Sequence, residues 1–438
     1  MPTGTEVAAQ VFVAAGMSSA EPSPAQALDA PDGARRRLLR WAVLGGMGGA
    51  WSMGSLAFSV HRERLDTANE TRPHPHATLA AVWQDQGGDG LTQDWAGLLH
   101  IDERGGEWAW RLGARLKLPT RGHGVQRLPD GQLVFVARRP GDWLVRWQPA
   151  TGQAEWAWMD EDRCFNGHVM LASAATAVAL GQPHGVLLTT ETDLEDSQGC
   201  IGLRSAQGLA KLAEWRTHGM DPHELIVLPA AVGPYPAGTL IVANGGIPTQ
   251  SETGRSKKWL DRMDPSLVAL HPHDGRLLGQ WRLPDPRLSI RHLAWDGERQ
   301  RLGIALQAEH DGPQRQQAPI FALWDGRALR LAQGQPELAG YGGSVERAPG
   351  DAGGFVVSCP KSDCTAWFDA QGRFVRTVAQ RDVCPLAVQG NRLWSGGGHG
   401  MAASRPIGEA LTPIGSQFAV PGQDGVHALQ FDNHWRLA

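Results

Sequence analysis

Two kinds of short hairpin alternate along residues 76–438 of this 438-residue chain, and that alternation limits the fold more than any other feature. Hairpins of the first kind start at His123, His168, His223, His292, Ser344, Leu386 and His427, with second strands such as "QLVFVA" and "TLIVAN". Those of the second kind turn through a polar segment containing Gly, as in "WLVRWQPATGQAEWAW" and "TAWFDAQGRFVRTV". Apolar and polar residues alternate with a period of two, and the turns follow one another too closely for βαβ units. No amphipathic helix of three turns is legible. The count of 55 Gly and 29 Pro suits a chain with many tight turns.

One hairpin of each kind makes a four-stranded sheet, the repeating unit of a β-propeller. The chain begins with a second-kind hairpin and ends with a first-kind one, and "SRPIGEALTPIGSQFAV" supplies a degenerate copy of the second kind. The spacing therefore predicts an all-β, seven-bladed β-propeller of four-stranded blades, with about 52 residues per blade. The N- and C-terminal ends would share one blade, which removes the exposed edge of an open array.

In such a ring the first strand of each blade lines the central channel. His123, His168, His223 and His292 would then occupy equivalent places in four consecutive blades and point toward one axis. Two readings of this cluster stand side by side. Neutral imidazoles could bind iron or another transition metal, with His123, His223, His292, Glu191 and Asp193 as the ligand set and Glu224 nearby. Alternatively, each histidine could tie its blade to the next through a backbone carbonyl. Arg291 beside His292 suits an anionic ligand and equally suits a neighbouring acid. The channel-mouth cluster is thus His123, His168, His223, Glu224, Arg291 and His292. The acids of "TTETDLEDSQG" could hold a cation through oxygen or form a solvated connection.

Before the propeller span, residues 1–33 read as a disordered extension, 34–60 as an export signal and 61–75 as a linker. Arg35 and Arg36 precede two leucines and an uncharged stretch, the pattern of a twin-arginine signal. Its glycine-rich composition fits a signal better than a permanent span, so contact with a membrane is expected only if the segment is retained. A net charge of −4 gives no general attraction to nucleic acid. Among the five cysteines, Cys359 and Cys364 in "SCPKSDC" are close enough to bridge. The Walker, GxSxG and HExxH patterns do not occur.

The stretches "RGHGVQ", "TTETDLEDSQGCIGL", "GMDPHELIVLP", "IVANGGIPT", "ETGRSKKWLDRMDPSLVAL" and "LSIRHLAWD" together resemble a bacterial secreted family, domain-of-unknown-function family 1513. The resemblance implies a propeller-like fold, a periplasmic address and an accessory role in iron acquisition. It also implies imelysin-like or di-haem peroxidase-like proteins as partners. It assigns no reaction to any residue, and the segment "LASAATAVALGQPH" after His168 departs from the family's pattern. An enzyme of lactonase-like or quinoprotein-like type, with its site at the channel mouth, is the alternative that fold analogy leaves open.

Overall fold

The computed structural model describes residues 76–86, 90–104, 107–249, 259–398, 400–404, 412–416 and 429–438. The extension, the Arg35–Arg36 signal, the linker, His427 and the lysines of 257–258 lie outside the described residues. Three strands open the fold, β1 (Ala77–Gln86), β2 (Thr92–Arg104) and β3 (Glu107–Leu118). Five four-stranded antiparallel sheets follow in chain order. They are β4 (Gly122–Arg127), β5 (Leu133–Ala137), β6 (Trp143–Trp147) and β7 (Ala154–Trp158); then β8 (Arg163–Leu171), β9 (Val186–Asp193), β10 (Gln198–Ser205) and β11 (Lys211–Met220). Next come β12 (Pro222–Val227), β13 (Leu240–Asn244), β14 (Ser266–Leu270) and β15 (Leu277–Trp281), and then β16 (Leu288–Asp296), β17 (Arg301–Ala308), β18 (Phe321–Trp324) and β19 (Leu329–Leu331). The fifth sheet is β20 (Ser344–Arg347), β21 (Phe355–Cys359), β22 (Cys364–Phe368) and β23 (Phe374–Ala379). The last strands are β24 (Val383–Gln389), β25 (Arg392–Gly397), β26 (Gly400–Ser404), β27 (Thr412–Ser416) and β28 (Gln430–Leu437).

The propeller and its four-stranded sheets are as expected, but the count of seven separate blades is not. Six sheets form. The sixth is a closed eight-stranded sheet in which β28-β1-β2-β3 and β24-β25-β26-β27 are joined. Short parallel pairs between β3 and β27 and between β24 and β28 join strands that hairpin counting assigns to different blades. The ends of the chain do meet, since β28 pairs antiparallel with β1. They meet as one C-terminal strand beside three N-terminal ones, not as two hairpins.

The first strands β4, β8, β12, β16, β20, β24 and β28 pack side by side in that order, and β28 closes against β4. Central strands such as β5 (LVFVA), β13 (LIVAN) and β21 (FVVSC) are buried along their whole length. They are covered on both faces by neighbouring sheets, so their apolar runs are continuous rather than alternating. Alternation survives on the outermost strands, as in β23, where buried-side and exposed positions follow each other residue by residue. Large rings fill the space between sheets: Phe321 and Phe368 stack at 4.5 Å, and Trp281 meets Trp324 edge-on at 5.1 Å. Two six-residue helices interrupt the strands, α1 (Ala174–Ala179) and α2 (Gly312–Gln317). The first is the segment that departs from the family's pattern after His168. Among the described residues no helix is long and apolar enough to cross a membrane.

Candidate metal centre

Six of the seven first strands carry a register shift at one level of the channel. The shifts lie between Gly122 and Val125, Phe165 and Val169, Pro222 and Leu225, Ile290 and His292, Val383 and Leu386, and opposite Phe431–Trp435. A bulge bends its strand and re-aims a side chain. Here His123, His168, His223, His292 and His434 all lie within or at the edge of a bulge. Only β20 pairs in regular register, and it contributes no histidine.

The result is a ring of five imidazoles. Centroid separations run from 4.6 Å for His168–His434 and His223–His292 to 6.2 Å for His123–His292. All four histidines expected at the channel are there, and His434 joins them from β28. Two overlapping triads, His123–His168–His434 and His168–His223–His292, have ligand atoms within 4.8 Å of one another. Glycine makes the close approach possible. Gly167 has φ +103°, and a Cβ there would stand 2.7 Å from Cδ2 of His123; one at Gly124 would stand 2.4 Å from the Gly167 carbonyl oxygen. Gly167→Ala is therefore expected to lower stability by about 1–3 kcal/mol through the strained backbone alone and to spread the ring. Chemical denaturation checks the first effect, and an unchanged midpoint would contradict the close packing.

Two carboxylates lie behind the imidazoles, one hydrogen-bonded and one at longer range. His123 donates from Nδ1 to Asp432 at 2.5 Å, and Asp432 also accepts from Arg121 Nε at 2.6 Å. Glu224 places one oxygen 3.7 Å from His168 Nδ1 and the other 3.4 Å from His292 Nδ1, while accepting the Leu293 amide at 2.9 Å. A carboxylate behind an imidazole fixes the tautomer that leaves the opposite nitrogen free for a metal. The Nε2 atoms of His123, His168 and His434 are buried and have no hydrogen-bond partner. Orphaned buried nitrogens in one small volume are what an empty ligand set presents.

His223 is placed differently. Its Nδ1 accepts from Arg291 Nη1 at 3.4 Å, so its proton sits on Nε2 and is donated to His292 Nε2 at 3.3 Å. His223 and His292 thus bond each other, while the Nε2 atoms of His123, His168 and His434 are left without a partner. Burial holds all five imidazoles below their usual 6.5, and the neighbouring imidazoles or guanidinium groups push most of them further down. These shifts favour neutral imidazoles at neutral pH. In the unfolded chain each would take up a proton below pH 6.5, so stability is present above that pH and is lost as pH falls toward the folded values. The loss is up to about 1.4 kcal/mol per pH unit for each histidine. Urea unfolding of metal-free protein at pH 7.5 and 5.5 checks this, and equal midpoints would contradict it.

Other expected residues lie elsewhere. Glu191 is fully buried between Arg204 at 3.0 Å and Lys211 at 2.8 Å, and Asp193 is held by Arg163 and Arg216. Among the described residues neither belongs to a metal-compatible group; each neutralises cations of its own sheet, which corrects their assignment as ligands. Glu195 and Asp196 are exposed. Arg291 bonds Asp221 at 2.9 Å, at the edge of the ring. Cys359 and Cys364 face each other across β21 and β22 as free thiols, so the expected bridge is not formed. Burial pushes the Cys384 thiol, in the β24 bulge, up to about 12, so it supplies no thiolate.

A family profile described as "Protein of unknown function (DUF1513)" matches residues 116–438. No curated protein matches the chain. Among solved structures, hydrazine synthase from Kuenenia stuttgartiensis aligns at 10% identity with TM-score 0.49, over 79% of this chain and 99% of that one. The Dos1 propeller aligns at 11% identity with TM-score 0.48, over 76% and 84%. Virginiamycin B lyase from Staphylococcus aureus aligns at 10% identity with TM-score 0.47, over 68% and 85%. Likenesses this distant carry no inference about activity.

Proposed function

For a chain that belongs to the family described as "Protein of unknown function (DUF1513)", we propose that the propeller holds one first-row transition-metal ion in its channel. His123, His168 and His434 would be the ligands. The observation that carries this reading is the set of three buried, unpartnered Nε2 atoms converging from β4, β8 and β28. His292 and His223 stand beside the site; Asp432 sets the tautomer of His123, and Glu224 stands behind His168 and His292. An all-imidazole donor set suits zinc, copper, nickel or iron(II). Because the two triads share His168, a single ion is expected.

The setting we propose is metal handling in the periplasm, with iron as the physiological metal and imelysin-like or di-haem peroxidase-like proteins as partners. The twin-arginine pattern at Arg35–Arg36 and the motifs shared with the family support that setting. A second reading is favoured by one feature of the site: three histidines leave a coordination position open, as in catalytic metal centres. Chemistry at the channel mouth would then depend on the same ion.

Protein stripped with a chelator and dialysed separately against zinc, copper(II) and anaerobic iron(II) tests the ligand set. Elemental analysis should find one ion per chain for at least one metal. No uptake of any of the three would remove the reading. Turnover of lactones, or of substrates coupled to an artificial electron acceptor, by metal-loaded but not metal-free protein would select the catalytic version.

A further inference from the structure

Four guanidinium groups and two carboxylates crowd the end of the channel where β4 and β12 begin. Asp432 takes Arg121 Nε at 2.6 Å and Arg138 Nη1 at 3.5 Å. Asp221 takes Arg139 and Arg291. The groups interlock: the Arg138 amide donates to the Arg121 carbonyl at 2.9 Å, and Arg138 and Arg139 are consecutive. With Glu224, which lies against His168 and His292, four cations face three anions and leave a formal surplus of one positive charge beside the imidazoles.

Two of these arginines are under-used. Among the described residues Arg138 makes one ion pair, at 3.5 Å, the long limit for a direct hydrogen bond, with its side chain 23% exposed. Arg291 is only 3% exposed, and its Nε is buried with no partner, although Nη1 reaches Asp221 and His223. A buried donor without an acceptor is destabilising unless something fills the place. Arg138 shares Asp432 with His123, and Arg291 reaches Asp221 and His223, so both under-used groups flank the histidine ring.

We propose that this mouth binds a small oxyanion, a carboxylate or a phosphate, with Arg138 as the principal donor and Arg291 supplying the free Nε. Planar guanidinium forks match both kinds of anion. The site is built by the fold whether or not the histidines carry a metal. It would also place the anion next to the open side of the His123–His168–His434 tripod, so it extends the metal reading by naming the class of ligand that meets the ion.

Calorimetric titration of the metal-free full chain with oxalate and, separately, inorganic phosphate tests the mouth independently of the metal. We expect one site per chain, with affinity falling as salt rises. The tighter of the two probes identifies the source of the oxyanion. Arg138→Gln should weaken binding by about 10- to 100-fold. The fold should tolerate this change, because Asp432 keeps Arg121 and His123. Arg138→Lys, which retains charge but loses the fork, should fall between. If neither probe binds, or if Arg138→Gln binds as tightly as the unaltered protein, the proposal is overturned. Loss of metal uptake in the dialysis experiment would leave this result standing.

Discussion

His168→Ala is expected to abolish uptake of a transition metal, a larger effect than any other single change in the ring. His168 is the histidine shared by both triads, and its imidazole touches those of His123, His223, His292 and His434 within 5.5 Å centroid to centroid. Changes to groups that merely orient a ligand typically lower metal affinity 10- to 100-fold, so removal of a ligand should exceed about 100-fold. His223→Ala is the informative contrast. Its Nδ1 faces the Arg291 cation, which makes it a neighbour of the ion, and the loss should stay within about 10-fold. Competition with a chromophoric chelator reads both values. Equal losses in the two variants would mean that tautomer and orientation do not select the ligands.

Glu191→Gln is expected to be the most damaging conservative change to stability, lowering it by about 3–5 kcal/mol. The carboxylate is wholly buried, accepts from Thr189 Oγ1 at 2.6 Å, and balances Arg204 and Lys211. Arg204 is itself buried, 4% exposed, so removing its partner strands a cation inside the sheet. Metal uptake by the surviving folded fraction should be unaltered, because Glu191 takes no part in the histidine ring. Urea unfolding measures the stability, and elemental analysis the uptake. A stable variant that had lost its metal would restore Glu191 as a ligand.

Much of this architecture is legible in the residues, for physical reasons that differ from element to element. The hairpin turns and the alternation of the outer strands announce a β-propeller because a strand with one wet face must alternate. Four of the five channel histidines can be found because each lies on the first strand of its sheet, where repetition of the fold brings them to one level. His434 escapes that logic. "QFDNHWRL" is one strand completing a sheet begun some 350 residues earlier, and read locally it looks like the second arm of a hairpin starting at His427. The bulges are equally hidden, since a register shift belongs to a strand pair and not to one segment.

The count of sheets failed where pairing is non-local and parallel. Two bridged pairs between β3 and β27 and one between β24 and β28 join eight strands, and nothing in their composition distinguishes them from the free edges of the other sheets. The acidic residues misled for an electrostatic reason. Glu191 and Asp193 look like hard ligands beside the histidines in sequence, but β9 is a second strand, and it meets the cations of β8, β10 and β11 instead. Composition reveals that charges exist; only the sheet order decides which of them meet.

X-ray absorption at the zinc edge of zinc-loaded protein addresses the central claim most directly. A shell of nitrogen and oxygen scatterers near 2.0–2.1 Å, with the outer-shell pattern of about three imidazoles, is the predicted result. That outer-shell pattern should diminish in His434→Ala. A sulfur shell near 2.3 Å, or a carboxylate-dominated shell unchanged in His434→Ala, would contradict the account.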